Sequence, residues 1–375
     1  MFNFRRENTS NIAIWFRSID KILILTIIIL FIMGVFFSFS STSSIAAEKL
    51  NTKNYYFFIR HLIFVLMALF FVFFISYQNK NKIIKYFPYI FFFTLIFLLL
   101  VPFVGNEIKG SKRWLDLMFL PKFQPIELVK PFFVLITAKI LSSNLETNIY
   151  KKYLYTLSIL VSVILLLVLQ PDMGQTILLL TTWLLMIFLS GINLVLLIVI
   201  SLIFLISLFL LLFLFSDKFG YILLRLKSFI DPSQGNNFQS DKSLETIING
   251  GFFGKGLGEG ILKYKVPEAH TDYIVAVMSE EFGIVSILIV MLIFLLLAFQ
   301  AFKKTMDINN DFIKLSVIGL TSIILIQAFI HIGVNIRLLP TTGMTLPFLS
   351  YGGSSIIGVS ILSGIILNLT KRKID

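Results

Sequence analysis

The sequence predicts an all-α polytopic membrane protein of about ten transmembrane helices, with one long extracytoplasmic loop between spans seven and eight. Three observations carry this. Of 375 residues, 57% are hydrophobic and only 14% charged, against about half and about a quarter in soluble domains. The apolar residues fall in runs of roughly 20, the length that crosses a bilayer as a helix. Lys and Arg gather in alternate connections, as in cytoplasmic loops. No cysteine occurs, which excludes disulfides, thiolate metal sites and a cysteine nucleophile. The net charge of +12 reads as a topology signal, not as a nucleic-acid footprint. With no soluble segment or linker, residues 1–375 form one expected membrane domain, opening on a short cytoplasmic stretch of about 1–19.

Taken in order, the first span, about 20–42, follows Arg5, Arg6 and Arg17. It exceeds a signal-peptide core and many spans follow, so it reads as an uncleaved helix, even with Ala46 and Ala47 after it. The next spans are expected at about 56–77, 84–104, 124–143, 153–169, 173–190 and 193–215. After the long loop, about 216–270, come spans at about 271–300, 312–335 and 345–369. The basic groups Lys80, Lys82, Lys85, Lys151, Lys152, Lys303, Lys304, Lys371, Arg372 and Lys373 then fall with the N-terminus on one, cytoplasmic, side.

The outer side also carries cations. The connection GNEIKGSKRWLDLMFLPKF holds Lys109, Lys112, Arg113 and Lys122, and an anionic ligand would account for them. The long loop holds Arg225, Lys227, Lys242, Lys255, Lys263 and Lys265; long loops translocate regardless of charge, which suffices there. Its NGGFFGKGLGEG run is flexible or tightly turned. It matches no nucleotide-binding fingerprint.

Several ionisable groups could carry chemistry. In PEAHTDYIVAVMSEEFG, Asp272 begins span eight beside His270 and Thr271. It reads equally as a general base at the membrane surface and as a carboxylate favoured at a helix N-terminus capped by Thr271. His270 reads as a loop residue supporting it, since no other histidine has ligand spacing. Glu280 and Glu281 cannot both face lipid, so one pairs with a cation or lines a cavity. In QPIELVKPFF, Glu127 and Lys130 share a helix face: an internal ion pair, or a polar wall of an outer cavity, the reading favoured for intramembrane charges. Pro131 is expected to deform that helix. Asp172 in QPDMGQT reads first as a turn residue capping span six and second as a further carboxylate near the site. Gln327, His331 and Asn335 form one stripe at i, i+4, i+8, read first as helix-packing glue. RLLPTTGMTLPFLSYGGSS is an irregular segment that must be buried in protein or line a cavity.

Six strings, in order, resemble the SEDS family of FtsW, RodA and SpoVE: GSKRWLDL (110–117), QPIELVK (124–130), QPDMG (170–174), RLKSFIDP (225–232), PEAHTDYIVAVMSEEFG (267–283) and PTTGMTLPFLSYGGSS (340–355). The resemblance runs from about Gly105 to the last span; earlier residues match by hydropathy alone. It implies a ten-helix peptidoglycan glycosyltransferase that polymerises lipid II through β-1,4 bonds, with inversion. It places the family's catalytic aspartate on Asp272, its span-four pair on Glu127 and Lys130, and its basic segment on Lys112, Arg113 and Trp114, with Arg225 and His270 among the substrate-binding positions. Thr345 stands where RodA-like members usually carry a second proline, which favours the septal FtsW-like branch over the elongation branch. Ile126 replaces the serine usual between Pro125 and Glu127, so no polar role is assigned there.

The same resemblance implies as partners membrane lipid, a class B penicillin-binding transpeptidase and divisome regulators, in the bacterial cytoplasmic membrane with both termini inside. A divalent ion, Mg or Mn, would ease departure of the pyrophosphate, although the sequence shows no dedicated cage. Two competitors are a lipid II flippase, which needs a hydrophilic path across the bilayer, and a scaffold without catalysis. The mostly apolar cytoplasmic halves speak against the first, the intact Asp272, Glu127 and Lys130 against the second.

Overall fold

The computed structural model describes residues 10–41, 56–108, 111–116, 121–143, 148–214, 216–231 and 238–372. The expected end positions Lys109 and Lys373 lie outside them. Ten apolar helices coincide with the ten expected spans: α2 (Lys21–Ser41), α3 (Tyr56–Tyr77), α4 (Lys80–Val104), α5 (Pro125–Leu141), α6 (Ile149–Leu169), α7 (Met173–Leu189), α8 (Leu194–Leu214), α11 (Ile274–Met306), α12 (Asp311–Asn335) and α13 (Gly353–Leu369). Three more are short: α1 (Asn11–Ser18) precedes the bundle, and α9 (Ser216–Ile230) and α10 (Phe238–Gly250) occupy the long loop. Six of the ten, α2, α3, α4, α6, α11 and α12, are long and apolar enough by length and composition to cross a membrane; α7, α13 and Leu194–Ser207 of α8 are shorter apolar stretches.

Burial separates two kinds of apolar surface. Leu23, Ile27, Phe133, Trp183, Val317 and Leu362 are buried between helices. Phe70, Phe92, Leu202 and Leu292 are exposed on the outside of the bundle, where hydrocarbon is the fitting solvent. Helix α13 packs along α3, α5 and α12, and α11 along α2, α10 and α12, so α5, α12 and α13 form the centre. The chain is a multi-pass membrane protein.

The two ends of the bundle differ. At one end both described termini meet: Arg372 N donates to Ser18 O at 3.0 Å, Asn368 Nδ2 donates to the carbonyls that end α3 at Ile75, Ser76 and Gln78, and Lys304 pairs with Asp20 at 2.8 Å. The other end carries the irregular segments. There the 3–4 connection folds as an antiparallel hairpin, β1 (Asn106–Ile108) with β2 (Ser111–Trp114), a strand pair that helical periodicity does not announce.

Three expectations change in detail. Span ten begins as helix at Gly353, not 345, because 336–352 stays irregular across Pro340, Pro347 and the left-handed Gly343 and Phe348. Helix α5 runs through Pro131 without interruption. Proline removes the donor that Glu127 O would receive; Gly358 lies against that carbonyl, so close that an added Cβ would sit 2.8 Å from it. Helix α11 breaks at Gly283, whose φ of 73° suits glycine. The glycine-rich run answers that break: Lys255 N and Gly256 N donate to the carbonyls of Glu280 and Glu281 at 2.8 and 3.0 Å, and Ile284 N donates to Gly251 O at 3.1 Å. The run is therefore tightly turned.

Candidate active site

Asp272 sits on the turn that leads into α11, and every part of that turn is tied down. Thr271, Asp272 and Tyr273 N donate to Glu268 O at 3.0–3.2 Å, and Thr271 Oγ1 donates to Glu268 Oε2 at 3.0 Å. From the irregular segment, Tyr351 N donates to His270 O at 3.0 Å and Ser350 Oγ to Thr271 O at 2.7 Å. From α12, Asn335 Nδ2 donates to Asp272 O at 3.0 Å. The carboxylate, partly exposed, projects beside Gly343, where an added Cβ would lie 3.6 Å from Oδ2. Helix α11 starts only at Ile274, with Tyr273 as its N-cap residue and no side-chain cap. Thr271 therefore does not cap the helix, while Asp272 lies just ahead of its N-terminus, where a carboxylate is favoured.

The polar stripe of α12 is the support beneath. Gln327 Nε2 donates to Thr345 O at 3.0 Å, His331 Nδ1 meets Met344 O at 2.7 Å, and Asn335 Nδ2 also donates to His331 O at 2.9 Å. Three successive turns of one helix thus hold the irregular strand 340–345 against the Asp272 turn. Thr345 Oγ1 in turn donates to Ser355 Oγ at 2.7 Å.

Glu127 and Lys130 form a buried ion pair at 2.7 Å, with side chains 2% and 0% exposed. Lys130 Nζ also donates to Gln327 Oε1 at 2.9 Å, and Gln175 Nε2 donates to Glu127 Oε1 at 3.0 Å. The pair lies inside the bundle and reaches the Asp272 turn through α12. The QPDMG turn closes the other flank. Asp172 caps α7, accepting from Gln175 N at 3.4 Å, and takes the Gln124 amide at 2.9 Å. Arg113 approaches the same carboxylate at 3.8 Å and donates to Gln170 O at 3.4 Å and to Pro171 O. Gly174 lets this turn approach Thr342 and Met344.

The remaining expected positions separate. Lys112, exposed on the hairpin, stands opposite Glu107, and Trp114 opposite Asn106. His270 packs its ring on Phe57 (centroids 4.6 Å apart) and Tyr351 (5.8 Å). Arg225 of α9 donates to Thr341 O at 3.2 Å and, like Asp272, lies within electrostatic reach of the buried Tyr273 phenol. Glu281 pairs with Lys263 and Ser40, whereas Glu280 accepts from Ile261, Leu262 and Lys263 N at 2.7–3.0 Å. Both serve the folded loop. Among the described residues no three His, Cys, Asp or Glu side chains converge on a point that could hold a metal ion, so the residues present do not fit a protein-held metal. Sequence reasoning did not single out Gln175, Ser350 or Tyr351. Gln175 could have been found as an amide on an otherwise apolar span; the other two act through long-range pairing that no local pattern signals.

The comparisons with known proteins agree with this architecture. A family model described as cell cycle protein, for FtsW, RodA and SpoVE, matches residues 20–374. The chain is 34% identical over 363 residues to the probable peptidoglycan glycosyltransferase FtsW of Haemophilus influenzae, covering 93% of this chain and 90% of the relative. It is 32% identical over 361 residues to stage V sporulation protein E of Bacillus subtilis, covering 94% and 97%. Among solved structures it resembles a chain of a peptidoglycan synthase complex studied for the coordination of polymerization and crosslinking (TM-score 0.77, 24% identity, 94% and 98% covered). It also resembles the rod shape determining protein RodA of Thermus thermophilus (TM-score 0.69, 23% identity, 94% and 97% covered). The chain belongs to the FtsW, RodA and SpoVE family of cell cycle proteins.

Proposed function

We propose that this protein is a peptidoglycan glycosyltransferase that polymerises lipid II, with Asp272 as general base. The observation that carries the reading is one partly exposed carboxylate on a turn fixed from three directions, beside the left-handed Gly343 and an arginine of the long loop. Such a group is held in place yet open to a substrate hydroxyl, which is what base catalysis requires. The acceptor sugar's 4-hydroxyl attacks the anomeric carbon of the donor muramic acid. Its proton passes to Asp272, the β-1,4 bond forms with inversion, and the bond to undecaprenyl pyrophosphate breaks. The cation Arg225 faces the departing negative charge, with Lys112 and Trp114 on the hairpin as further substrate contacts. Arg113, Glu127, Lys130 and His270 act through the geometry of the turn and the irregular segment.

The Asp272 end of the bundle is assigned to the outer surface, because the opposite end gathers Arg17, Lys80, Lys85, Lys304 and Lys371. Both termini then face the cytoplasm, and the long loop of about 216–270 is extracytoplasmic. A class B penicillin-binding transpeptidase is the proposed partner, since the similar solved chain belongs to a synthase complex that also crosslinks. A septal site of action, with divisome regulators, follows the FtsW-named relatives; the RodA-type elongation role is its alternative.

The test is reconstitution with the partner transpeptidase and lipid II, comparing wild type with Asp272→Ala. Glycan polymer from wild type alone, both proteins folding equally, supports the reading. Polymer from both removes Asp272 as base. Polymer from neither, with lipid II crossing liposome membranes, replaces the polymerase by a flippase.

A further inference from the structure

A cavity of about 230 Å³ opens between α9, α10 and the start of the irregular segment, lined by Arg225, Ser228, Gln239, Ser240, Arg337 and Thr341 among others. Arg225 belongs to the sequence motifs; Arg337 does not, and its setting is unusual in two ways. Its φ is 61°, a left-handed conformation that a long L side chain adopts only when its surroundings impose it, and that glycine would adopt freely. Its guanidinium is half satisfied. Nη1 pairs with Asp241 at 2.5 Å, while Nη2 is buried with no hydrogen-bond partner. A buried donor left unpaired is costly, and such groups mark places where another acceptor belongs.

The surroundings say what kind of acceptor. The described residues lining the cavity include two arginines and no carboxylate, with Asp241 pairing one of the two from outside the lining, so the lining is positive. Arg225 reaches Thr341 O in the same wall, and Thr341 begins the strand that leads to Gly343 beside Asp272. Ser228, Ser240 and Gln239 add hydroxyl and amide groups. Planar guanidinium forks with neighbouring neutral donors match the oxygens of a phosphate ester better than those of any uncharged group.

We infer that this cavity is a phosphate-ester subsite in which Arg337 acts together with Arg225. The pyrophosphate of the lipid-linked sugar is one source of such a group, and this assignment rests on the proposed substrate; the headgroup of an anionic phospholipid is the other. Asp241 holds one arm of Arg337 and so limits how strongly the site attracts anions.

The test measures binding without turnover, using the full chain in nanodiscs. Geranyl pyrophosphate is the soluble probe, in discs of neutral phosphatidylcholine. Retention of phosphatidylglycerol is counted separately by native mass spectrometry from mixed discs. The variants are Arg337→Gly, Arg337→Lys and Arg225→Gln. Arg337→Gly relieves the backbone while removing the guanidinium, so a thermal melt at or above that of wild type separates binding from unfolding. Geranyl pyrophosphate binding weakened about tenfold or more by Arg337→Gly and Arg225→Gln, and less by Arg337→Lys, supports the subsite with substrate as source. Unchanged pyrophosphate binding with fewer retained phosphatidylglycerol molecules supports it with lipid as source. Folded variants that change neither overturn it. Lipid II polymerisation is assayed alongside. Intact polymerisation with no arginine-dependent binding refutes the subsite alone, and arginine-dependent binding without polymerisation refutes the polymerase alone.

Discussion

Replacing Asn335 by leucine should slow catalysis without weakening substrate binding. Leucine keeps the branched shape, with slightly larger methyl groups, and removes the side-chain amide nitrogen and oxygen. That nitrogen makes two hydrogen bonds, to Asp272 O at 3.0 Å and His331 O at 2.9 Å. Asn335 is fully buried, so water cannot replace the donor from within the helix. The lost bond to His331 O, which keeps its main-chain donor within the helix, is worth about 1 kcal/mol net, and leaving Asp272 O without this donor costs about 1–3 kcal/mol, so the local loss is about 2–4 kcal/mol. The Ser243 hydroxyl loses a long contact to the Asn335 side-chain oxygen at 3.5 Å but keeps its shorter bond to the main-chain oxygen of residue 335 at 3.1 Å, so α10 stays docked. What changes is the hold on the Asp272 turn. A general base displaced by a fraction of an ångström to 1 Å costs about 10- to 100-fold in rate. Steady-state polymerisation of lipid II in detergent or liposomes should show kcat reduced by that factor with KM within about twofold. A folded Asn335→Leu protein with wild-type kcat, or one in which only KM rises, refutes the positioning argument.

Three further outcomes follow from the geometry. Lys130→Met strands the Glu127 carboxylate in a buried site and should destabilise the protein by about 3–5 kcal/mol, whereas the double change Glu127→Gln with Lys130→Met should recover much of that, read from thermal melts of the purified protein. Gly283→Ala forces φ of 73° on an alanine and should lower the melting temperature and open the 251–256 turn to proteolysis, whereas Gly191→Ala, also left-handed but with open space around it, should cost less. Lys371, just beyond α13, has its ammonium pushed down from 10.5 to about 8 by burial and by the charge of Lys80. The unfolded chain then holds more protons between about 8 and 10.5, so stability should rise as pH rises through that window. Lys371→Met should flatten the rise, and acylation of Lys371 should show a midpoint near 8; a midpoint near 10.5 sinks the argument.

How much of this was legible in sequence depends on whether a feature is local. Hydropathy located ten helices because membrane burial writes itself along the chain in runs of roughly 20 residues. Asp172 was readable as a cap from its place after Pro171 and before α7, and the α12 stripe from a period of four. The segment after Asn335 was readable as irregular from its prolines and glycines. The rest depended on partners far along the chain. Nothing near Glu281 announces Lys263 and Ser40, nothing near Arg113 announces the carbonyls of Gln170 and Pro171, and nothing near residue 337 announces a left-handed arginine. Asp272 was evenly balanced on pattern alone between a general base and a carboxylate favoured at a helix N-terminus capped by Thr271. The structure moves the cap from Thr271 to Tyr273 and leaves Asp272 just ahead of the helix.

The distribution of polar groups through the bundle bears on mechanism as a whole. A transporter needs a hydrophilic path through the membrane, with groups left open to its cargo. Here the buried charges near the Asp272 end are consumed by protein: Lys130 by Glu127 and Gln327, Arg113 by Asp172 and two carbonyls, Lys263 by Glu281. After Lys130, α5 continues with Pro131, Phe132, Phe133, Val134 and Leu135, all buried, and the hydroxyls of Thr321 and Ser322 on α12 turn back to their own helix at Val317 and Ile318. Among the described residues, the charged network at the Asp272 end is therefore followed along α5 by five buried residues without a polar side chain. A one-sided site of this kind can hold a lipid-anchored substrate whose headgroup lies at the surface and whose tail stays in the bilayer. The Glu127–Lys130 pair, through Gln327 and α12, supports the segment beside the Asp272 carboxylate.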